Sequence, residues 1–395
     1  METHLWRLAD MGKFMRRDRV NQFDILILTR PASVFYFTGA RMRGAFAMVT
    51  KQGEGALGVP VSDQREARAA AVFDYLRTFD GEQAMIAGIA SLIEHFRPEG
   101  IKQIGVEYSW LSHGLAGLIA SPEVSGEGVG LGDCDLLVDR MRAVKDEKEL
   151  SHIRGAARVA DAGMAAAAAA LKPGVTELEL AGAAEFAMRR EGAEAFLGTG
   201  VRSGERTAMA GGRPTMRTIG ENELVTVALH PVVEGYSASI CRTVCLASAA
   251  GDREEAFAVL ALAQQETAAM ARRGVTLGEL EANFFRMLRD AGHEKHVSGQ
   301  PVHGTGIEVC EAPFAGGRRE PAAAEPGVTG AEAVAPPGAG MPAVEETPLK
   351  AGTVLAVGSQ GLVTGDWGVR VEDTVVVGET GPEVLTSYPR TLAVI

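Results

Sequence analysis

The sequence predicts two domains, a layered α/β domain over residues 1–141 and an α+β domain over 142–395 built as an internal duplication. Three observations carry this. A chain of 395 residues exceeds what one ordinary core organises. Its first third alternates β-rich runs with helically spaced apolar residues. Its remainder repeats one helix-start signal a hundred positions apart, with matching flanks.

In the first third, Asp24–Thr29, Val34–Thr38 and Ala45–Thr50 read as strands, and Gly53–Gly58 as a turn. Ser62–Phe79 and Ala84–Phe96 have helical spacing. Gln103–Tyr108 reads as a buried strand and Trp110–Ala120 as a helix, with Gly126–Val144 as the exit from the domain. A long helix follows over Asp146–Leu171, with acidic residues near its start where the helix dipole favours them.

The segment Gly174-Val175-Thr176-Glu177-Leu178-Glu179-Leu180 then recurs as Gly274-Val275-Thr276-Leu277-Gly278-Glu279-Leu280. In both, Thr and the Glu three residues on form a capping box that opens a helix. Each is preceded by another helix and followed by β-rich sequence. Leu224–Leu229 echoes Val354–Val357, and Ser239–Leu246 echoes Val369–Val377. Two such units predict one curved sheet with helices outside and a cleft on the pseudo-twofold axis. Residues 315–346, rich in Ala, Pro, Gly and Glu, break the symmetry and read as a mobile surface loop.

A net charge of −12 argues against nucleic acid or anionic membrane as partners. Apolar runs stay below membrane-spanning length, and Met1–Arg19 lacks a signal-peptide core. Four cysteines without a Cys-x-x-Cys pair form neither a disulfide framework nor a zinc knuckle. The expectation is a cytoplasmic protein.

Several spaced segments resemble the creatinase, aminopeptidase P and prolidase family. These are Val34–Gly39, Arg142–Leu150, Pro173–Leu180, Gly235-Tyr236 with Arg242-Thr243, His303-Gly304-Thr305-Gly306, Glu311-Ala312-Pro313 and Val369–Val377. The resemblance implies a creatinase-like amino-terminal domain, a pita-bread carboxy-terminal domain with substrate in its cleft, and a homodimer. Metal-dependent members hold two divalent ions with two aspartates, a histidine and two glutamates. Those positions fall here on Ala228, Ser239, His303, Gly358 and Glu372. Only His303 and Glu372 keep a ligand type, so the expectation is no metal and no other cofactor. The family's proton-handling histidines fall on Cys310 and within Thr207–Pro214, which has no histidine. Creatinase hydrolyses a guanidino compound without metal, but it keeps the upstream histidine and the glutamate replaced here at Gly358.

The expected function is therefore a metal-independent hydrolase or lyase acting on a small C–N compound or amino-acid derivative, with His303 and Glu372 handling protons. The alternatives are a silent ligand-binding or protein-binding member, and an Xaa-Pro peptidase with an atypical metal site. His230, two residues beyond Ala228 on one strand, shares its face. Arg370 and Glu372 should share another. Tyr236 could present its hydroxyl to the cleft, and Arg41 and Arg43 match a region where creatinase-like dimers lend side chains to a neighbour's cleft. Arg206, Arg213 and Arg217 add positive charge, so an anionic small molecule is the expected ligand. Cys310 lies seven residues from His303, too far for contact unless the chain turns back; Cys241 and Cys245 read as core.

Overall fold

The computed structural model describes residues 2–17, 22–97, 100–209, 211–246, 251–297, 300–314 and 346–394. The predicted loop at 315–346 lies outside the described residues except for Glu346. The chain divides into two compact units, Met1–Arg142 and Ala143–Ile395.

The first unit runs α1 (Glu2–Arg17), β1 (Ile25–Leu28), α2 (Pro31–Thr38), β2 (Phe46–Thr50), β3 (Gly55–Pro60), α3 (Gln64–Ala70), β4 (Tyr75–Phe79), α4 (Glu82–Phe96), β5 (Gln103–Val106), α5 (His113–Ala120), α6 (Pro122–Ser125), β6 (Gly130–Asp133) and α7 (Asp135–Ala143). Its six strands form one mixed sheet in the order β4-β3-β2-β1-β5-β6. Ile25, Ile27, Phe46, Met48, Ile104 and Val106 pack against Ile89, Leu92, Ile93 and Phe96 of α4, the layered α/β arrangement expected.

Three local expectations fail. Val34–Thr38 is helical despite its β-branched and aromatic residues. Pro31 occupies the first helical turn, Gly39 closes the helix at φ +76°, and nearly every side chain between is buried, so packing overrides propensity. Ser62–Phe79 is split into α3 and β4 rather than one helix, because Tyr75–Phe79 pairs in parallel with β3. Gly53–Gly58 turns only at its start; Gly55 onward is β3, whose Gly58 carries the Phe46 ring where a side chain would sit.

The second unit runs α8 (Glu147–Ala170), α9 (Glu177–Arg190), β7 (Ala195–Ser203), β8 (Leu224–Val233), β9 (Tyr236–Ser237), β10 (Ile240–Cys245), α10 (Gly251–Ala269), α11 (Leu277–Asp290), β11 (Val302–Gly304), β12 (Glu311–Phe314), β13 (Val354–Val357), β14 (Leu362–Thr364), β15 (Trp367–Val369), β16 (Asp373–Val376), β17 (Glu383–Val384) and β18 (Ala393–Val394). The duplication is present. Thr176 with Glu179 and Thr276 with Glu279 both close complete capping boxes. The strand order β7-β8-β10 in one half matches β11-β13-β16 in the other. Each half-sheet packs its own helices: Leu180, Ala184 and Met188 of α9 lie with Val225, Val227 and Leu229, and Leu277 and Leu280 of α11 lie with Leu355, Val357 and Val375.

The halves meet where β10 runs beside residues 370–374. Cys241 and Glu372 exchange both backbone hydrogen bonds, at 3.1 and 3.0 Å. Ser239 N donates to Thr374 Oγ1 (2.7 Å), and Arg370 N to Thr243 Oγ1 (2.7 Å). Beneath the seam, Arg242 and Asp373 form a fully buried ion pair at 2.6 Å.

Removing one member of a satisfied buried pair strands the other charge, so Arg242→Met is expected to cost about 3–5 kcal/mol in a urea melt. In the first unit, Glu107 is buried beside Ser33. Burial, opposed by the Ser33 hydrogen bond and reinforced by Asp135, raises its pKa to about 7. A raised folded-state value favours the protonated form, so this stability is present below the ordinary carboxylate range and is lost as pH rises through about 7. Denaturant melts of the full chain at pH 5 and pH 8 are expected to show that loss in the wild type, and a smaller one in Glu107→Gln.

Candidate functional site

A cavity of about 890 Å³ opens in the second unit beside the seam. Arg202 and Ala228 enter it from β7 and β8, and His230 comes from the same strand as Ala228. His303 comes from β11, and Arg370 and Glu372 from the break between β15 and β16. Four predicted residues, His230, His303, Arg370 and Glu372, thus converge. Both halves of the duplication contribute: β8 from the first, and β11 with the segment before β16 from the second.

His230 sits against Ser239, with Nδ1 3.0 Å from Oγ. Burial holds its pKa below the usual imidazole value, with the Glu372 charge opposing. His303 behaves oppositely. Its Nδ1 donates to the Gly304 carbonyl at 3.0 Å, and its ring also bonds Cys310. Burial by itself would lower its pKa; the Cys310 hydrogen bond and the charges of Cys310 and Glu372 outweigh that and raise it to about 9. Cys310 does reach His303, since β11 and β12 are antiparallel and the chain turns back between them. That turn is locked by the buried Lys145–Glu311 ion pair (2.8 Å), against which Gly306 leaves no room for a side chain. Glu372 is 6 % exposed, and its Oε1 has no hydrogen-bond partner among the described residues. Cys241 and Cys245 are buried as expected, and burial raises the Cys241 thiol to about 11.

Two other expectations are corrected, those for Tyr236 and for Arg206 with Arg217. Tyr236 does not present its hydroxyl to the cavity; it donates to Glu149 Oε1 (3.1 Å) with its ring stacked on His152. Arg206 and Arg217 contribute little free charge, being paired with Glu177 and Glu223, whereas Arg213 lines the cavity. Arg41 and Arg43 belong to the first unit, both exposed, with Arg41 lying over the Phe35 ring. Arg202 went unrecognised in the sequence. Its face becomes readable only from the pairing of Gly200 with Ala228 and of Arg202 with Thr226, which places it on the Ala228 side of β7.

Residues 7–144 match the model of the Creatinase/Prolidase N-terminal domain, and residues 151–379 that of Metallopeptidase family M24. A curated Xaa-Pro dipeptidase from Pyrococcus horikoshii is 26 % identical over 376 residues, covering 94 % of this chain and 95 % of its own. An uncharacterized peptidase of Staphylococcus aureus is 26 % identical over 391 residues, covering 97 % and 100 %. Among solved structures, the prolidase from P. horikoshii superposes with a TM-score of 0.81 at 24 % identity, covering 98 % of this chain and 99 % of its own. An X-Pro aminopeptidase from Thermotoga maritima superposes at 0.80 and 24 %, with the same coverage.

These matches overturn the expectation that the cleft takes no metal, because the domain carrying it is that of a metallopeptidase family. The donors at the five aligned positions nevertheless do not make up the two-ion set. Ala228 has only a methyl, and the Ser239 hydroxyl is engaged with His230. Gly358, at φ +91°, has no space for any side chain, since a Cβ there would collide with the Val371 carbonyl oxygen. Among the described residues, no group of three or more His, Cys, Asp or Glu could hold an ion.

Gly358→Ala must therefore strain the backbone as well as collide. It is expected to destabilise the fold by roughly 2 kcal/mol or more in a denaturant melt, where a merely vacant ligand position would accept alanine at little cost.

Proposed function

Because the chain belongs to metallopeptidase family M24, we propose that its second unit is a peptidase of the Xaa-Pro type, acting on small dipeptides with a free carboxylate. The convergence of His230, His303, Arg370 and Glu372 on one cavity carries the reading. The names of the curated relatives favour it over a hydrolase or lyase for some other small C–N compound. Arg370, with Nε buried and unpartnered among the described residues, is placed to receive the substrate carboxylate. Glu372 offers a buried acceptor oxygen to a water or to the substrate amine. His303, charged at neutral pH, can donate a proton to the leaving nitrogen. No step is assigned to a metal, since the donors present do not compose the family's site.

Proline release from Gly-Pro and Ala-Pro is the direct measurement, made with added Mn²⁺, Co²⁺ or Zn²⁺ and again with chelator. Hydrolysis is expected. Glu372→Gln and His303→Gln should each lower kcat by about 100-fold or more, and Arg370→Met should act mainly on KM. Folded protein that cleaves no Xaa-Pro dipeptide under any of these conditions would instead support a silent ligand-binding member.

A further inference from the structure

Of the four cysteines, only Cys310 is exposed, and the proposed reaction does not use it. It is also the partner of a cavity imidazole. In the β11–β12 hairpin Glu311 pairs with Gly304, which brings Cys310 back beside His303. The turn between the strands is held at several points. Gly306 N donates to the Glu308 carbonyl (3.1 Å), Glu308 N to Glu311 Oε2 (3.3 Å), and Ser237 N to the Gly306 carbonyl (2.6 Å). The strands approach closely at its base, where a Cβ on Gly304 would lie 2.3 Å from the Ala312 carbonyl oxygen. Val309, the residue before Cys310, lines the cavity together with His303.

The hydrogen bonds of His303 assign its two ring nitrogens. Nδ1 donates to the Gly304 carbonyl at 3.0 Å, so Nε2 is the nitrogen left for Cys310. A nucleophile, an imidazole and a group that orients the imidazole make up an activated-thiol site. Here those parts are Cys310, His303 and the Gly304 carbonyl.

An independent observation points to a ligand in the space that His303 faces. Glu372 Oε1 and Arg370 Nε are both buried there without hydrogen-bond partners among the described residues. Buried polar atoms left in this way call for a polar ligand or a water.

We propose that Cys310 is a catalytic residue of this cleft, the nucleophile of a two-step acyl transfer in which His303 carries the proton. The inference rests on the Xaa-Pro reading for its substrate. In the first step Cys310 Sγ bonds to the scissile carbonyl carbon and the carbon–nitrogen bond breaks. The single mobile proton of the thiol–imidazole pair passes from His303 Nε2 to the leaving proline nitrogen. In the second step a water oxygen attacks the thioester carbonyl, one water proton moves to Nε2, and the carbon–sulfur bond breaks. The acid departs and the pair is restored. Glu372 Oε1 is the acceptor available to hold that water.

Alkylation and hydrolysis by the full-length protein test the proposal. Iodoacetamide should modify Cys310 about tenfold or more faster than it modifies N-acetylcysteine, and His303→Gln should abolish that advantage. In Gly-Pro hydrolysis, Cys310→Ala should lower kcat by about 100-fold or more. Cys310→Ser keeps a hydrogen-bonding group for His303 and is expected to be nearly as impaired, whereas a thiol that only positioned the imidazole would be replaced by serine at little cost. The two Cys310 variants, at an exposed position, keep the test decisive if His303→Gln does not fold. Hydrolysis at the wild-type rate by Cys310→Ala or Cys310→Ser overturns the proposal and leaves the Xaa-Pro reading standing. Alkylation no faster than that of N-acetylcysteine also overturns it. Fast, His303-dependent alkylation with no cleavage of any Xaa-Pro dipeptide does the reverse: the activated thiol stands and the Xaa-Pro reading falls.

Discussion

The cavity depends on the buried ion pair between Arg242 and Asp373. Asp373 is fully enclosed, and both its oxygens are used: Oδ1 by Arg242 and Thr386, Oδ2 by Gln264 and Arg390. Arg242 also donates to the carbonyls of Cys241, Glu372 and Tyr388. Charges removed from water need such complete satisfaction to be tolerated. Because the pair spans the two half-sheets, it fixes where residues 370–373 lie against β10. Glu372 and Arg370 are next to Asp373 in the chain, and Ser239, which holds His230, is on the strand's own approach. One electrostatic contact therefore sets the mutual placement of groups from both halves of the duplication.

The cavity's charge runs against that of the molecule. The chain carries −12 overall, yet Arg202, Arg213 and Arg370 all face this one space, against Glu185 and Glu372. A positive cleft in an acidic protein concentrates small anions while the remaining surface repels polyanions. The titratable groups within it are also differentiated by their surroundings. His230 is kept neutral by burial, His303 is kept charged by Cys310 and Glu372, and the Cys241 thiol is held protonated. Two imidazoles in one cavity thus have different proton states at neutral pH, which lets one accept and the other donate.

Much of this was legible beforehand where local chemistry decides. Thr176 with Glu179 and Thr276 with Glu279 are capping boxes by spacing alone, and the duplication follows from their register. His303 and Glu372 stood out because the segments around them keep a recognisable order. What escaped was decided by contacts distant in sequence. The run Val34–Thr38 has strand-forming residues but is buried on all sides as a helix. Tyr236 looked available until Glu149, 87 positions away, took its hydroxyl. Cys310 seemed out of reach of His303 until the hairpin between β11 and β12 folded it back.

By itself the sequence determined the two-part organisation, the repeated unit and the strands that carry the site, since these rest on periodicity and capping between residues a few positions apart. The replacement of ligand types at Ala228, Ser239 and Gly358 was equally plain. Only the tertiary structure decided which arginines lie against Glu177 and Glu223 and which line the cavity. Arg206 and Arg217 resemble Arg202 and Arg370 in the sequence; Glu177 and Glu223 claim the first two, and the Met209 carbonyl gathers the others. Charge neutralisation depends on distances of a few ångströms, and those are set by pairing register across strands rather than by the order of residues along them.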